Sequence, residues 1–267
     1  MNLERTLLRR VGEAIGRFRM IREGDRVAVA LSGGKDSLAL LEALLRLQRR
    51  APVRFSVSAF TIEQGKFLRS LEPLAEWLRQ RSVPWLCFED RPSLRLEEEQ
   101  PDHGCDLCSR YRRRAVYEAA RALQANVIAF GHTMDDLCEA FLRNALFTGR
   151  IAALPPVTWS SRHEFRLIRP LIYVSEHMTR QFVERLGAPV TPCACALRSG
   201  GVRQQIRALL AEWEKRYPHL MRKLVAAMGH VDAQRLLDPR LLDLDVARAA
   251  QTEPKAETAP LTAPVEA

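Results

Sequence analysis

No apolar run in this sequence approaches the roughly 18 residues that a membrane-spanning helix needs, so no contact with a membrane is expected. The opening MNLERTLLRR is charged throughout and has no apolar block, which speaks against a secretory signal and for a cytoplasmic protein. There is no Walker A pattern, G-x-x-x-x-G-K-S/T, so the phosphate site of the P-loop NTPases is excluded. No internal repeat is visible, and a solenoid or propeller is excluded with it. Lysine is scarce: of 41 cationic side chains only five are Lys and the other 36 are Arg. Cysteines number six, and without an export signal they are expected as thiols or metal ligands rather than a disulfide framework. With 47% apolar and 27% charged residues, a wholly disordered or fibrous chain is excluded as well.

The formal charge is +9 over 267 residues. Arginine suits phosphate through its bidentate fork and bases through stacking, so the excess is compatible with a nucleic-acid partner. It fits equally well a coding bias towards Arg. Five arginines, at positions 5, 9, 10, 17 and 19, fall in one N-terminal segment and offer a salt-sensitive surface to RNA.

Periodicity places helices at 3–20, 36–50, 107–123, 134–147, 175–186 and 218–230. A further helix is expected with Phe67, Leu71, Leu74 and Leu78 on one face, and another with Val202, Ile206, Leu209 and Trp213. Buried strands are expected at 26–31, 53–60, 84–88 and 126–130, and Cys87 on the third strand reads as core. Residues 89–104, with charge, two Pro and a Gly, read as a surface loop. The β-α-β-α alternation predicts a doubly wound, mostly parallel α/β sheet, with the site at the strand C-termini. The expected organisation is an N-terminal helical segment (1–25), an α/β catalytic domain (26–200), C-terminal helices (201–245) and a disordered tail (246–267).

SGGKDS, residues 32–37, follows a strand and opens a helix. Gly33 and Gly34 let the backbone turn tightly and bring bare N–H groups to a ligand, and the helix N-terminus adds positive partial charge. Ser32 and Ser37 can donate hydroxyl bonds, and Lys35 adds a full charge. Asp36 would repel phosphate unless a cation lies between them, which points to Mg²⁺. A polar strand–helix turn with a simple cap is the plainer alternative. GHTMDDLCEAF, residues 131–141, repeats the arrangement after another strand. Asp135 and Asp136 open its helix and could hold Mg²⁺ or act as acid and base; His132 could bond the nucleotide. An Asp-Asp pair at a helix start also serves as a cap. CDLCSRYRRR (105–114) and PCAC (192–195) bring Cys105, Cys108, Cys193 and Cys195 into play. C-x-x-C puts two thiolates in reach of one metal, but no second C-x-x-C completes a four-ligand zinc site. Three thiolates suit an iron–sulfur cluster with one open iron, whereas a zinc ribbon or a redox dithiol stays possible on spacing alone. Arg112, one helical turn from Cys108, is placed towards substrate or ATP phosphate. Arg110, Arg113 and Arg114 offer RNA phosphate contacts, or a solvated helix face.

SGGKDS resembles the pyrophosphate loop of the PP-loop ATP pyrophosphatases. The order SGGKDS, C-x-x-C-S-R-x-R-R, G-H-x-x-D-D, R-P-L, P-C and W-x-K-R-Y-P, over about residues 5–245, resembles the tRNA 2-thiocytidine synthetase family. The resemblance implies an ATP-dependent tRNA thiolase acting on cytidine in the anticodon loop. It implies a [4Fe-4S] cluster on Cys105, Cys108 and Cys193, and catalytic roles for Asp36, Arg112, Asp135 and Asp136. It also implies ATP held by residues 32–37 and His132, with Mg²⁺ on Asp36 and Asp135. The expected partners are tRNA, a cysteine desulfurase as sulfur donor, and a second copy of the chain in a homodimer. Thr133 and Met134 depart from the family's usual His and Arg, and Ala196 stands where a second cysteine is frequent. Thiolation of a uridine, a PP-loop amidating or lysine-ligating enzyme, and a non-enzymatic nucleotide-binding module are the alternatives.

Overall fold

The computed structural model describes residues 2–99, 105–193 and 201–241. Met1–Val225 form one compact unit and Ala226–Ala267 another. In the first unit α1 (Leu3–Arg17) begins where the Asn2 Oδ1 accepts the Glu4 amide at 3.1 Å, and it buries Leu7, Leu8, Val11 and Ala14 on one side. It ends three residues before the expected 20, and Arg19 takes a φ of 48° just beyond it.

Six strands follow: β1 (Asp25–Ala30), β2 (Phe55–Glu63), β3 (Trp85–Glu89), β4 (Val127–Ala129), β5 (Val157–Trp159) and β6 (Arg166–Ile168). They form one sheet in the order β3-β2-β1-β4-β6-β5, parallel except for β5. The intervening helices are α2 (Lys35–Gln48), α3 (Glu72–Arg79), α4 (Arg91–Glu99), α5 (Cys105–Ala122) and α6 (Met134–Phe147). After β6 come α7 (Glu176–Leu186), α8 (Val202–Arg216) and α9 (Leu220–Met228). The crossovers β1-α2-β2 and β3-α5-β4 run in opposite directions along the sheet, so right-handedness puts α2 and α5 on opposite faces. On the α5 side Val116, Ala119 and Ala120 pack on Ala28, Phe60, Ile128 and Leu167. Small residues there let the helix approach the sheet closely, and all of these are buried. The strand order reverses between β1 and β4, so a crevice opens at their C-terminal ends.

At the opposite ends of the same strands a buried ion pair ties three of them together. Arg166 bonds Asp25, whose other oxygen accepts Asn126 Nδ2 at 2.9 Å; Asn126 Oδ1 in turn accepts the Arg26 amide at 2.8 Å. Both charges of the pair are about 5% exposed.

Four sequence expectations need correction. The helix begun at Phe67 starts instead at Glu72, because Pro73 occupies the first helical turn, where a missing N–H costs nothing. Phe67 forms an antiparallel bridge with Cys193. The loop expected at 89–104 contains α4; Pro92 stands in its first turn and starts the helix rather than breaking it. Cys87 is exposed, because β3 is the edge strand. Finally, β5 and β6 escape a reading by periodicity since each is three residues long. The second unit, among the described residues, holds the end of α9 and the 3-10 turns Ala233–Arg235 and Pro239–Leu241. The expected disordered tail, 246–267, lies outside the described residues.

Candidate active site

The segment after β1 turns at Gly33, φ 76°, and Gly34 is the N-cap of α2. No side chain caps this helix, so its first amides are left to an external acceptor. The serines brace the turn from within: Ser37 Oγ donates to the Gly34 carbonyl (2.8 Å) and accepts the Ser32 amide (3.2 Å). A side chain at Gly33 would place its Cβ 2.5 Å from the Thr191 carbonyl oxygen and 3.0 Å from Phe67. At Gly131, after β4, a Cβ would stand 2.9 Å from the Ser37 amide and the Asp36 carbonyl carbon. The two glycine turns therefore touch, which brings the first and second motifs to one mouth.

Lys35 Nζ reaches Glu176 Oε1 at 2.6 Å and Asp36 Oδ2 at 3.1 Å. Asp36 also accepts the Thr179 hydroxyl. Burial pushes the Asp36 carboxyl above its ordinary range, against the pull of Thr179 and Lys35. Asp135 Oδ2 accepts the Glu176 amide at 2.8 Å, and burial again pushes its carboxyl up. Burial acts on Glu176 in the same direction, but the Lys35 bond and the charges of Lys35, Arg207 and Arg180 outweigh it and hold this carboxyl low. Asp136 has a different place. Its Oδ2 accepts the Thr133 amide at 2.9 Å in a capping box, and its Oδ1 pairs with Arg203 at 3.3 Å. Glu139, buried one turn on, is 2.5 Å from Arg203 Nε and 3.4 Å from Arg207 Nε. The two aspartates that look equivalent in the sequence are thus divided: Asp135 faces α7, and Asp136 caps its own helix and anchors α8.

His132 and Arg169 flank the crevice with unmet polar atoms. His132 Nδ1 and Arg169 Nε are buried without a hydrogen-bond partner. Burial, then the Arg169 charge, lowers the His132 imidazole below its ordinary value, so the ring is neutral at pH 7. Arg169, lowered by burial, donates from Nη1 to the Pro155 carbonyl at 2.6 Å. Orphaned donors and acceptors at this depth are costly and mark a place for a ligand.

Cys193 is half-buried. Its segment is fixed on both sides: the Thr191 amide donates to the Gly33 carbonyl (2.9 Å), and the Leu68 amide to the Pro192 carbonyl (3.0 Å). Cys105 opens α5 and Cys108 follows within its first turn; their side chains, and Cys195, lie outside the described residues. Cys138 is buried, its thiol pushed up to about 12, chiefly by burial. Arg112 turns to Gln64, its Nε 3.0 Å from Oε1, and Gln64 in turn donates to Asp90 (3.0 Å) and Ser93 (2.8 Å). Among the described residues no three His, Cys, Asp or Glu are grouped to hold a metal ion. No described helix is long and apolar enough to cross a membrane.

Sequence reasoning missed Glu176, Thr179, Arg203 and Arg207. Glu176 reads locally as an acid in the first turn of a helix, and nothing nearby in the chain shows that it reaches a lysine 141 positions away. The nearest signal was the upstream R-P-L motif.

A family model described as a PP-loop domain matches residues 3–191. The tRNA-cytidine(32) 2-sulfurtransferase of Alkalilimnicola ehrlichii is 40% identical over 244 residues, 90% of this chain and 78% of that protein. The protein of the same name from Escherichia coli O127:H6 is 37% identical over the same shares. Among solved structures, the U34-tRNA thiolase NcsA from Methanococcus maripaludis with its [4Fe-4S] cluster superposes with a TM-score of 0.63 at 18% identity, covering 86% of this chain and 80% of that one. That likeness confirms the fold. The expectation taken from the motif order therefore holds: the chain is a PP-loop protein and belongs to the tRNA-cytidine(32) 2-sulfurtransferase family.

Proposed function

We propose that this chain replaces the C2 oxygen of a tRNA cytidine by sulfur, at the expense of ATP. The observation that carries it is the junction of the uncapped α2 N-terminus with the Cys193 segment through the Gly33–Thr191 bond. Activation and sulfur delivery need adjacent sites, and a hydrogen bond between the two segments that would carry them supports this reading.

In the first step the cytosine C2 oxygen attacks the α-phosphorus of ATP, an O–P bond forms, and pyrophosphate leaves. Residues 32–37 would hold the β- and γ-phosphates with the α2 amides, Ser32 and Lys35. Lys35 stands ready at the mouth, held by Glu176 and Asp36. Asp36 and Asp135 would hold Mg²⁺; both carboxylates are half-buried, and a cation offsets the cost of their charge. The neutral His132 and the unpartnered Arg169 Nε would bond the nucleotide. In the second step sulfide attacks C2, the C–O bond breaks, and AMP leaves with the original oxygen. Cys105, Cys108 and Cys193 would hold a [4Fe-4S] cluster, which when bound supplies an iron open to the incoming sulfide. The fit rests on Cys193, half-buried on a segment pinned to Gly33 and Leu68 by backbone bonds. Arg112, expected as a catalytic contact, is bonded to Gln64 and would act through that network in a positioning role. The sulfur donor in this scheme is a cysteine desulfurase, which carries sulfur as a persulfide; a thiol reductant supplies the two electrons that release it as sulfide, and the working assembly is a homodimer. A target base in a loop is unstacked at small cost.

The test is pyrophosphate release from ATP by anaerobically reconstituted protein, with and without unmodified tRNA. Release that depends on tRNA, and that falls about a hundredfold or more in Lys35→Ala, is expected. Release indifferent to tRNA contradicts the proposal.

A further inference from the structure

The outward side of α5 carries Arg110, Arg113, Arg114, Tyr117 and Arg121, spaced i, i+3, i+4, i+7, i+11, which is one helical stripe. Arg112 points elsewhere, to Gln64. Opposite the stripe the turn between β5 and β6 presents Arg162 and Glu164, and the two walls enclose an open groove of about 540 Å³. The turn is firmly built: Ser160 Oγ accepts the Glu164 and Phe165 amides, both at 3.0 Å, and Phe165 stacks on Tyr117 with ring centres 5.6 Å apart. Two of the five arginines are engaged. Arg114 pairs with Glu118 at 2.8 Å, and Arg121 holds Glu164 through two bonds of 2.5 and 2.6 Å. Arg110, Arg113 and Arg162 are exposed and form no ion pair among the described residues.

We propose that this groove seats the phosphodiester backbone of the tRNA substrate; the inference rests on the function proposed above. Three unmatched guanidiniums on rigid walls are a preorganised phosphate cradle, since each can take two oxygens of one phosphate. Arg110 to Arg121 span about 16 Å of helix, long enough for several consecutive phosphates. Because α5 runs into the start of the parallel strand β4, its own first turn, with Cys105, lies towards the C-terminal edge of the sheet. A strand lying in the groove is therefore led to the end of the helix that carries C-x-x-C. This face is separate from the arginine-rich α1, where Arg10 is already bonded to the Tyr173 carbonyl at 3.3 Å.

The test measures binding of the full chain to a fluorescent tRNA transcript across a salt series. Three proteins are compared: the unsubstituted chain, the triple variant Arg110→Gln/Arg113→Gln/Arg162→Gln, and the same three positions changed to Lys. The Gln variant should bind roughly tenfold or more weakly at 0.1 M salt, and the slope of log K against log salt should flatten by about two, at about 0.7–0.9 for each phosphate no longer neutralised. The Lys variant should restore the slope, and the melting temperature should not move. Unchanged affinity and slope in the Gln variant overturn the groove while leaving the thiolase assignment standing. So does a variant that keeps tRNA binding but loses an acidic protein such as the sulfur donor. Failure of the unsubstituted chain to bind tRNA overturns the underlying function, and the groove with it.

Discussion

The Thr191 amide donates to the Gly33 carbonyl at 2.9 Å, and Cys193 stands two residues further along. One bond thus links the turn that would grip pyrophosphate to the segment that would grip the cluster. The contact leaves no room: a Cβ on Gly33 would meet the Thr191 carbonyl oxygen at 2.5 Å.

Gly33→Ala should therefore damage both halves of the reaction. The left-handed φ of 76° adds about 1–3 kcal/mol of strain to the clash. Pyrophosphate release is expected to fall at least about tenfold, and the iron content of the reconstituted protein to fall with it. Normal iron with abolished pyrophosphate release would show that the two segments move independently.

His132 should make stability pH-dependent below neutrality. Its native value lies below 6.5, so between that lowered value and 6.5 the unfolded chain takes up a proton that the native chain refuses. Stability is lost as the pH falls through that window, with a slope of at most about 1.4 kcal/mol per pH unit for one proton. His132→Gln should flatten this part of the curve in urea titrations at pH 7.5 and 5.5. An identical slope in the variant contradicts the assignment.

Asp25→Ala removes one partner of the buried Arg166 pair and leaves a guanidinium uncompensated at the strand ends away from the crevice. A loss of about 3–5 kcal/mol is expected in denaturant titration. At low temperature, where the variant is folded, pyrophosphate release should be near normal. A loss below about 1 kcal/mol would mean that the pair is not buried in solution.

The cysteines separate by position. Cys105→Ala, Cys108→Ala and Cys193→Ala should each abolish the visible absorbance and iron of the anaerobically reconstituted protein. Cys195→Ala should keep both, because it is displaced by one residue from the place where the family carries its second cysteine. If Cys195→Ala empties the protein and Cys193→Ala does not, the third ligand has been misassigned.

The sheet and its switch point were legible in the sequence because β1 and β4 carry apolar, β-branched runs and each is followed by a glycine turn and a helix. The same local logic misled at Pro73, where the expected helix ran straight through a proline that in fact opens it, and at Pro92, where a proline counted towards a loop opens a helix. Asp135 and Asp136 could not be told apart before folding, since their difference lies in which distant element each meets, α7 or α8. Glu176 and Arg207 were invisible for the same reason: their partners are far away in the chain.

The most direct measurement is mass spectrometry of tRNA nucleosides from cells lacking this gene, compared with cells carrying it on a plasmid. Loss of 2-thiocytidine in the deletion, its return with the intact gene, and no return with the Asp36→Ala form are the expected results. Undiminished 2-thiocytidine in the deletion, or full rescue by Asp36→Ala, would contradict the account.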